Sequence, residues 1–470
     1  MNKLVSSVRE AVALAGIKPG MTVSFHHHLR NGDYVLNMVM QEIADAGIKD
    51  INVNASSLFD VHAPLLKHIE NGVVTGISAN YISAGLGRAF SCGVLKNPIQ
   101  FRTHGGRPAA ISTGKTPIDV AFIAAPTADP MGNCSGKYGK SACGSLGYAF
   151  ADAMYAKKVV VITDNLVPYP LQDPSIAENY IDYVVTVDAI GDPKGIVSGT
   201  TQITRDPVGL VMAANAAKVI QASGLLKDGF SFQTGAGGAS LAAAKFLKDI
   251  MLREQIRGSF GLGGITGYMV DMLQAGCFER LLDVQCFDLK AVESIRSDPR
   301  HMEISSMRYA SPVSKSAAVD SLDVVILGAT EIDTDFNVNV HTDSNGYIMG
   351  GSGGHSDTAA GAKLSMIIAP MFRARLPIVT DRVTCISTPG KDIDVLVTQG
   401  GIAVNPNRQD LKSRLLDAGL PVVDIEDLKE KTEKITGTPA KLPKGDRVVA
   451  EVIGRNGEIS DRIYNIVADK

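Results

Sequence analysis

The chain has 470 residues, of which 45% are hydrophobic and 20% charged, so it can bury a large core and is not globally disordered. A formal net charge of −3 argues against nucleic acid or an anionic membrane as the main partner, since both require a strongly basic surface. The length predicts more than one domain.

From the N-terminus, Leu4, Val8, Ala11, Val12 and Ala15 fall at helical spacing, so residues 3–15 read as an amphipathic helix rather than a signal peptide. Short apolar runs at 22–25, 51–54, 73–78, 120–125, 159–163 and 183–187 read as strands. Helical patterns alternate with them, as at 34–46, where Val35, Leu36, Val39 and Ile43 share a face and Gly47 is the stop. Strands that are apolar throughout and separated by helices predict an open, mostly parallel sheet covered on both faces, hence an α/β fold. Beyond Asp424, Lys and Glu with Pro and Gly suggest a solvated helix and tail.

The second half repeats the first. Residues 18–26 match 227–235, and 118–125 match 322–329. Asp129 pairs with Asp333, Asn133 with Asn337, and Gly144-Ser145-Leu146-Gly147 with Gly351-Ser352-Gly353-Gly354. Two tandem related domains, 1–222 and 223–470, are expected, with a site in the cleft between them.

The six cysteines (Cys92, Cys134, Cys143, Cys277, Cys286, Cys385) form no C-x-x-C pair and no zinc spacing. No apolar run reaches the roughly 18–20 residues of a membrane span. A cytoplasmic protein with reduced thiols and no membrane contact is expected.

Three segments at predicted strand ends carry candidate chemistry. His26, His27, His28 and Arg30 follow the first strand, where open α/β sheets place ligands. The histidines have no third metal ligand at useful spacing, so the expectation is no metal, with imidazoles and Arg30 donating to carboxylates. In His104-Gly105-Gly106-Arg107, the glycines admit a ligand close to the backbone and Arg107 supplies a two-pronged donor. Asn133 and Ser135 suit a substrate hydroxyl, though a plain Asx-turn accounts for them equally well. Gly350-Gly351-Ser352-Gly353-Gly354-His355-Ser356-Asp357 offers backbone N–H groups to an oxyanion or carboxylate, with Gly351, Ser352, Gly353 and Gly354 as donors. A simple helix-entry turn is the plainer account of that octet. There is no G-x-S-x-G elbow, Cys/His motif or Ser-x-x-Lys.

The order of these segments, with Thr398-Gln399-Gly400-Gly401-Ile402-Ala403-Val404-Asn405-Pro406, resembles the alpha subunit of citrate lyase along nearly the whole chain. That resemblance implies a duplicated fold of the CoA-transferase type and a citrate CoA-transferase activity in a citrate-fermenting, cytoplasmic complex. Acetyl thioester plus citrate would give citryl thioester plus acetate through a mixed anhydride. It implies a lyase beta subunit and an acyl carrier protein gamma subunit as partners, with self-association into a homo-oligomer part of the same expectation. No tightly bound cofactor is implied. The co-substrate would be acetyl-CoA or the phosphoribosyl-dephospho-CoA arm of the carrier protein, admitted at Thr234, Gly235, Gly237 and Gly238. Many members of the wider superfamily carry a glutamate nucleophile early in the second repeat; Ser259-Phe260-Gly261-Leu262-Gly263-Gly264 holds no acid there. Two alternatives stand beside this reading: a glutamate-dependent acyl CoA-transferase, and a non-catalytic small-anion sensor on the same fold.

Overall fold

The computed structural model describes residues 3–197 and 202–467. Two large sheets dominate. In the first, Tyr183–Thr186, Lys158–Thr163, Val120–Ala124, Thr22–Phe25, Ile51–Ala55, Val74–Ala79 and Ile99–Phe101 lie side by side in that order, all parallel. In the second, Val395–Thr398, Leu364–Ile368, Val324–Leu327, Ser231–Thr234, Gly258–Ile265, Phe278–Cys286 and His301–Glu303 reproduce the order, again in parallel. Helices cover these sheets, which is why the strands are apolar throughout: Val120, Ala121, Phe122 and Ile123 are all buried, as are Val324, Val325, Ile326 and Leu327.

The repeat extends to single bonds. Asp119 accepts from the Thr22 N–H at 2.8 Å and pairs with Lys157; Asp323 accepts from the Ser231 N–H at 2.9 Å and pairs with Lys363. The shared Asp-Val signature therefore fixes the start of each central strand against its neighbour. Asp129 gathers the N–H groups of Met131 and Asn133, and Asp333 those of Asp335 and Asn337.

Two segments depart from the sequence reading. Leu4–Val5 forms an edge strand beside Tyr183–Thr186, and the helix begins only at Val8, where the Ser7 side chain accepts from the Glu10 N–H. After helix Ile425–Thr436, the expected tail is instead a hairpin, Lys444–Ile453 with Ile459–Ile466. It pairs in parallel with Ile99–Phe101 and so completes the first sheet. Helix Pro207–Ala222, for its part, packs on helix Gly238–Arg253 of the second half. Sheet membership thus does not follow a single cut at residue 222.

The halves clasp each other through their glycine loops. From the first half, Gly147 accepts from the Ser306 N–H, Ser145 donates to the Asp283 carbonyl, and Gly144 lies against Cys286. From the second half, Gly353 accepts from the His104 N–H at 2.7 Å and donates to the Asn80 carbonyl, while Gly350 accepts from the Ile82 N–H. Each loop therefore seats on the strand ends of the opposite sheet. A side chain at Gly351 would collide with the Asn80 carbonyl, so this close approach requires glycine.

Candidate functional site

The strand ends of both sheets meet in one cleft lined by the first histidine segment. After strand Thr22–Phe25 the chain turns through Arg30, whose φ of 52° lies in the left-handed region. This strained turn aims the guanidinium between two rings, 5.3 Å from Phe59 of the first half and 5.0 Å from Phe287 of the second. Burial pulls the Arg30 pKa down, yet a guanidinium stays cationic at neutral pH. No carboxylate pairs with it and no hydrogen bond engages it among the described residues. A half-buried, prepositioned guanidinium without an acid partner keeps its donors available to an anion.

The three histidines differ from the expectation of a cationic grip. His26 points beneath the cleft, its Nδ1 3.9 Å from Asp152, and neither ring nitrogen has a hydrogen-bond partner. His27 is fixed by Ser56 Oγ at 2.5 Å, and His28 Nε2 accepts from the Tyr148 N–H at 3.4 Å. Burial pushes His26 down to about 4, and His27 and His28 well below the usual histidine value. All three are neutral at pH 7, so Arg30 alone brings formal charge to this segment.

Arg107 is a correction. It is fully buried and spent on Asp152, donating to both carboxylate oxygens at 2.7 Å, with Nε donating to Asn54 at 2.7 Å. Burial raises the Asp152 pKa, but the Arg107 charge, the neighbouring His26 and hydrogen bonds from Arg107 and Ser24 together outweigh it, and the net shift is downward. This pair supports the floor under His26, and Arg107 is 2% exposed with four of its N–H groups bonded to Asp152 and Asn54. Asn133 is a second correction: its amide bonds Asp129 and Glu178, and its carbonyl accepts from the Glu178 N–H. Ser135, wholly buried, accepts from the Lys137 N–H. Both build the loop beyond strand Val120–Ala124, because short polar side chains there satisfy turn N–H groups.

The octet divides its donors. The Gly353 N–H goes to Asn80 and the Ser352 N–H to His341 Nε2 at 3.3 Å. Gly351 and Gly354 retain N–H groups without a partner among the described residues. Beside them, His104 Nε2 lies 3.3 Å from the Cβ position of Gly353, and the Tyr309 hydroxyl crowds that of Gly354. The His104 ring is pushed by burial to about 3 and is also neutral. His355 is turned away, bonded to Thr388 and to the Gly328 carbonyl.

At the proposed arm-binding loop, Gly237 and Gly238 open helix Gly238–Arg253. Cβ positions on Gly235 and Gly237 would meet nothing closer than 3.5 Å, whereas Gly238 backs onto Gln202 and Thr204. Thr234 Oγ1 donates to carbonyls of its own loop.

Strand Gly258–Ile265 ends where the superfamily glutamate is expected. A side chain on Gly264 would strike the Phe287 ring, and one on Gly263 would come within 2.8 Å of Gln233. Gln233 and Phe287 therefore fill the space beside these two glycines. Behind them Asp283 bonds the Cys286 thiol and His301, each at 3.0 Å, and His301 meets Ser294. This closed network steadies the strand end from which Gln285 donates to the His27 carbonyl at 2.9 Å.

Phe59, Phe287, Tyr148, Tyr309 and Gln285 were not read as site residues from the sequence. Tyr148 alone carried a signal, since it follows the first glycine loop as His355 follows the second.

Asp357, at the start of helix His355–Gly361, ties this loop to the first half by accepting from Thr103 Oγ1 and the Gly105 N–H, each at 2.8 Å. Burial raises its pKa to about 6 from 3.8. The folded state then binds the proton more tightly than the unfolded state, so its contribution to stability falls as pH rises from about 4 to about 6 and is level above. The stability difference between D357N and the parent is expected to change across that window by about 2–3 kcal/mol. Urea unfolding of both at several pH values checks it; a pH-independent difference would remove Asp357 as the titrating group.

Among the described residues, no helix is long and apolar enough to cross a membrane. The family model for the citrate lyase alpha subunit matches residues 1–466. The citrate lyase alpha chain of Klebsiella pneumoniae is 49% identical over 464 residues, covering 99% of this chain and 91% of its own. The crystal structure of a citrate lyase alpha subunit from Streptococcus mutans in complex with citrate superimposes with a TM-score of 0.98 at 49% identity, covering 100% of this chain and 92% of that one. A Pseudomonas malonate decarboxylase hetero-tetramer in complex with malonate shares the fold, with a TM-score of 0.70 at 17% identity over 92% of this chain and 86% of that one. With a matching family model, close relatives and a common fold, the chain belongs to the citrate lyase alpha-subunit family.

Proposed function

We propose that this chain is the acyl-exchange transferase of a citrate lyase complex, a citrate CoA-transferase that makes no enzyme-glutamyl intermediate. A citrate carboxylate attacks the acetyl thioester carbonyl, whose π pair moves to oxygen. Collapse of the tetrahedral oxyanion expels the thiolate and leaves a mixed anhydride. The thiolate then attacks the citryl carbonyl, giving citryl thioester and acetate. The observation that carries this reading is the pairing in one cleft of an unpaired Arg30 with a strand end that bears glycine where a nucleophile would stand. The citrate complex of the Streptococcus mutans relative supports citrate as the substrate.

In this scheme Arg30 anchors a carboxylate, and the free N–H groups of Gly351 and Gly354 face the oxyanion, each well-placed donor contributing about 3–4 kcal/mol. Neutral His27 and His104 orient the ligand without adding charge. The open faces of Gly235 and Gly237 admit the thioester arm, either acetyl-CoA or the phosphoribosyl-dephospho-CoA of an acyl carrier protein. The partners would be the lyase beta and carrier gamma subunits, in the cytoplasm.

Citrate-dependent release of acetate from acetyl-CoA is expected, with citramalate as the control acid. Borohydride or hydroxylamine added during turnover should leave every peptide of the chain at its unmodified mass. An acyl-glutamate adduct would replace the direct-attack scheme with a covalent one.

A further inference from the structure

Tyr148 lies directly after the first glycine loop, at the repeat position that His355 holds in the second half. The two side chains have opposite fates. Both nitrogens of His355 are bonded to protein, which locks it into its own half. Tyr148 instead turns into the cleft, its ring 4.7 Å from His27 and 4.5 Å from His104. The residue is 3% exposed, yet its hydroxyl has no hydrogen-bond partner among the described residues. That hydroxyl is not sealed from solvent, so a ligand entering the site can accept a hydrogen bond from it.

The placement indicates what kind of ligand. On one side Tyr148 packs at a tilt against His104, whose Nε2 faces Gly353 of the donor loop. On the other it stacks on His27, which belongs to the same segment as Arg30. The phenol thus stands between the carboxylate anchor and the oxyanion donors. Burial keeps its proton on, so it serves as a neutral donor at neutral pH.

The geometry points to Tyr148 as a catalytic residue whose O–H donates a hydrogen bond to the oxyanion formed when the substrate carboxylate attacks the thioester. The assignment rests on the exchange reaction set out above. The attacking carboxylate oxygen forms the new C–O bond and the carbonyl π pair becomes the oxyanion lone pair. Tyr148 stabilises that charge without losing its proton, and collapse breaks the C–S bond to release thiolate.

The test is Y148F in the full chain, which keeps the ring packed against His27 and His104 and deletes only the hydroxyl. Citrate-dependent acetate release should fall about 10²-fold in kcat, the loss expected for one donor, with KM for citrate within about twofold. A kcat within threefold of the parent would overturn the assignment. If Y148F fails to fold, replacing Tyr148 by a ring-fluorinated tyrosine keeps ring and hydroxyl but makes the phenol more acidic. Its activity should then fail at lower pH than the parent's, because a phenolate cannot donate; an unmoved alkaline limb would also overturn the assignment. Acetate release by the parent without a Tyr148 effect removes only this residue. Absence of release by the parent would remove the exchange reaction and this role together.

Discussion

Replacing Arg30 by alanine is expected to lower kcat/KM for citrate by about 10²–10³-fold while the protein folds as before. Removing one partner of a desolvated charge pair costs about 2–5 kcal/mol, and each 1.4 kcal/mol is a factor of ten. The loss falls on the ligand, because in the protein the guanidinium meets only the rings of Phe59 and Phe287. Burying an unpaired cation costs free energy, so the unliganded variant should melt no lower than the parent. Citrate should no longer raise its Tm. A variant that exchanges citrate at the parent's rate would eliminate Arg30 as the anchor.

Arg107→Ala is expected to behave in the opposite way, destabilising the whole first half by about 3–5 kcal/mol with or without citrate. Asp152 is wholly buried, and its charge is balanced by the two bonds from Arg107. Truncating the arginine strands that carboxylate beside a neutral His26 and an Asn54 whose amide nitrogen already lacks a partner. The double variant R107L/D152L removes both charges and should recover much of the loss, since a matched apolar pair leaves nothing uncompensated. Denaturant midpoints of the single and double variants decide it; equal destabilisation in both would mean packing, not charge, dominates.

These two arginines show where sequence reading works and where it stops. Both stood at strand ends in glycine-containing segments, and nothing local separated them. What separates them is a residue about 45 positions downstream: Asp152 reaches Arg107, whereas no acid among the described residues reaches Arg30. The sheets and their duplication were legible, because fully apolar strands at 120–124 and 324–327 announce a covered parallel sheet. The final hairpin was not. In Lys444–Ile453, Val449, Ala450, Val452 and Ile453 are buried, but the surrounding Lys, Gly, Asp and Arg hid that apolar core. The tyrosines were missed because Tyr148 and Tyr309 come from opposite halves and meet only through the cleft.

The final hairpin also bears on how the chain is made. Strand Ile99–Phe101 is synthesised early, yet its neighbour Lys444–Ile453 leaves the ribosome more than 300 residues later. Arg447 then reaches back to the carbonyls of Gly93 and Leu95. During translation the early sheet has an open edge while the entire second sheet is produced, and such an edge is a template for mispairing. The early sheet is thus finished only by residues 444–466, and deleting that hairpin exposes the edge of the first sheet.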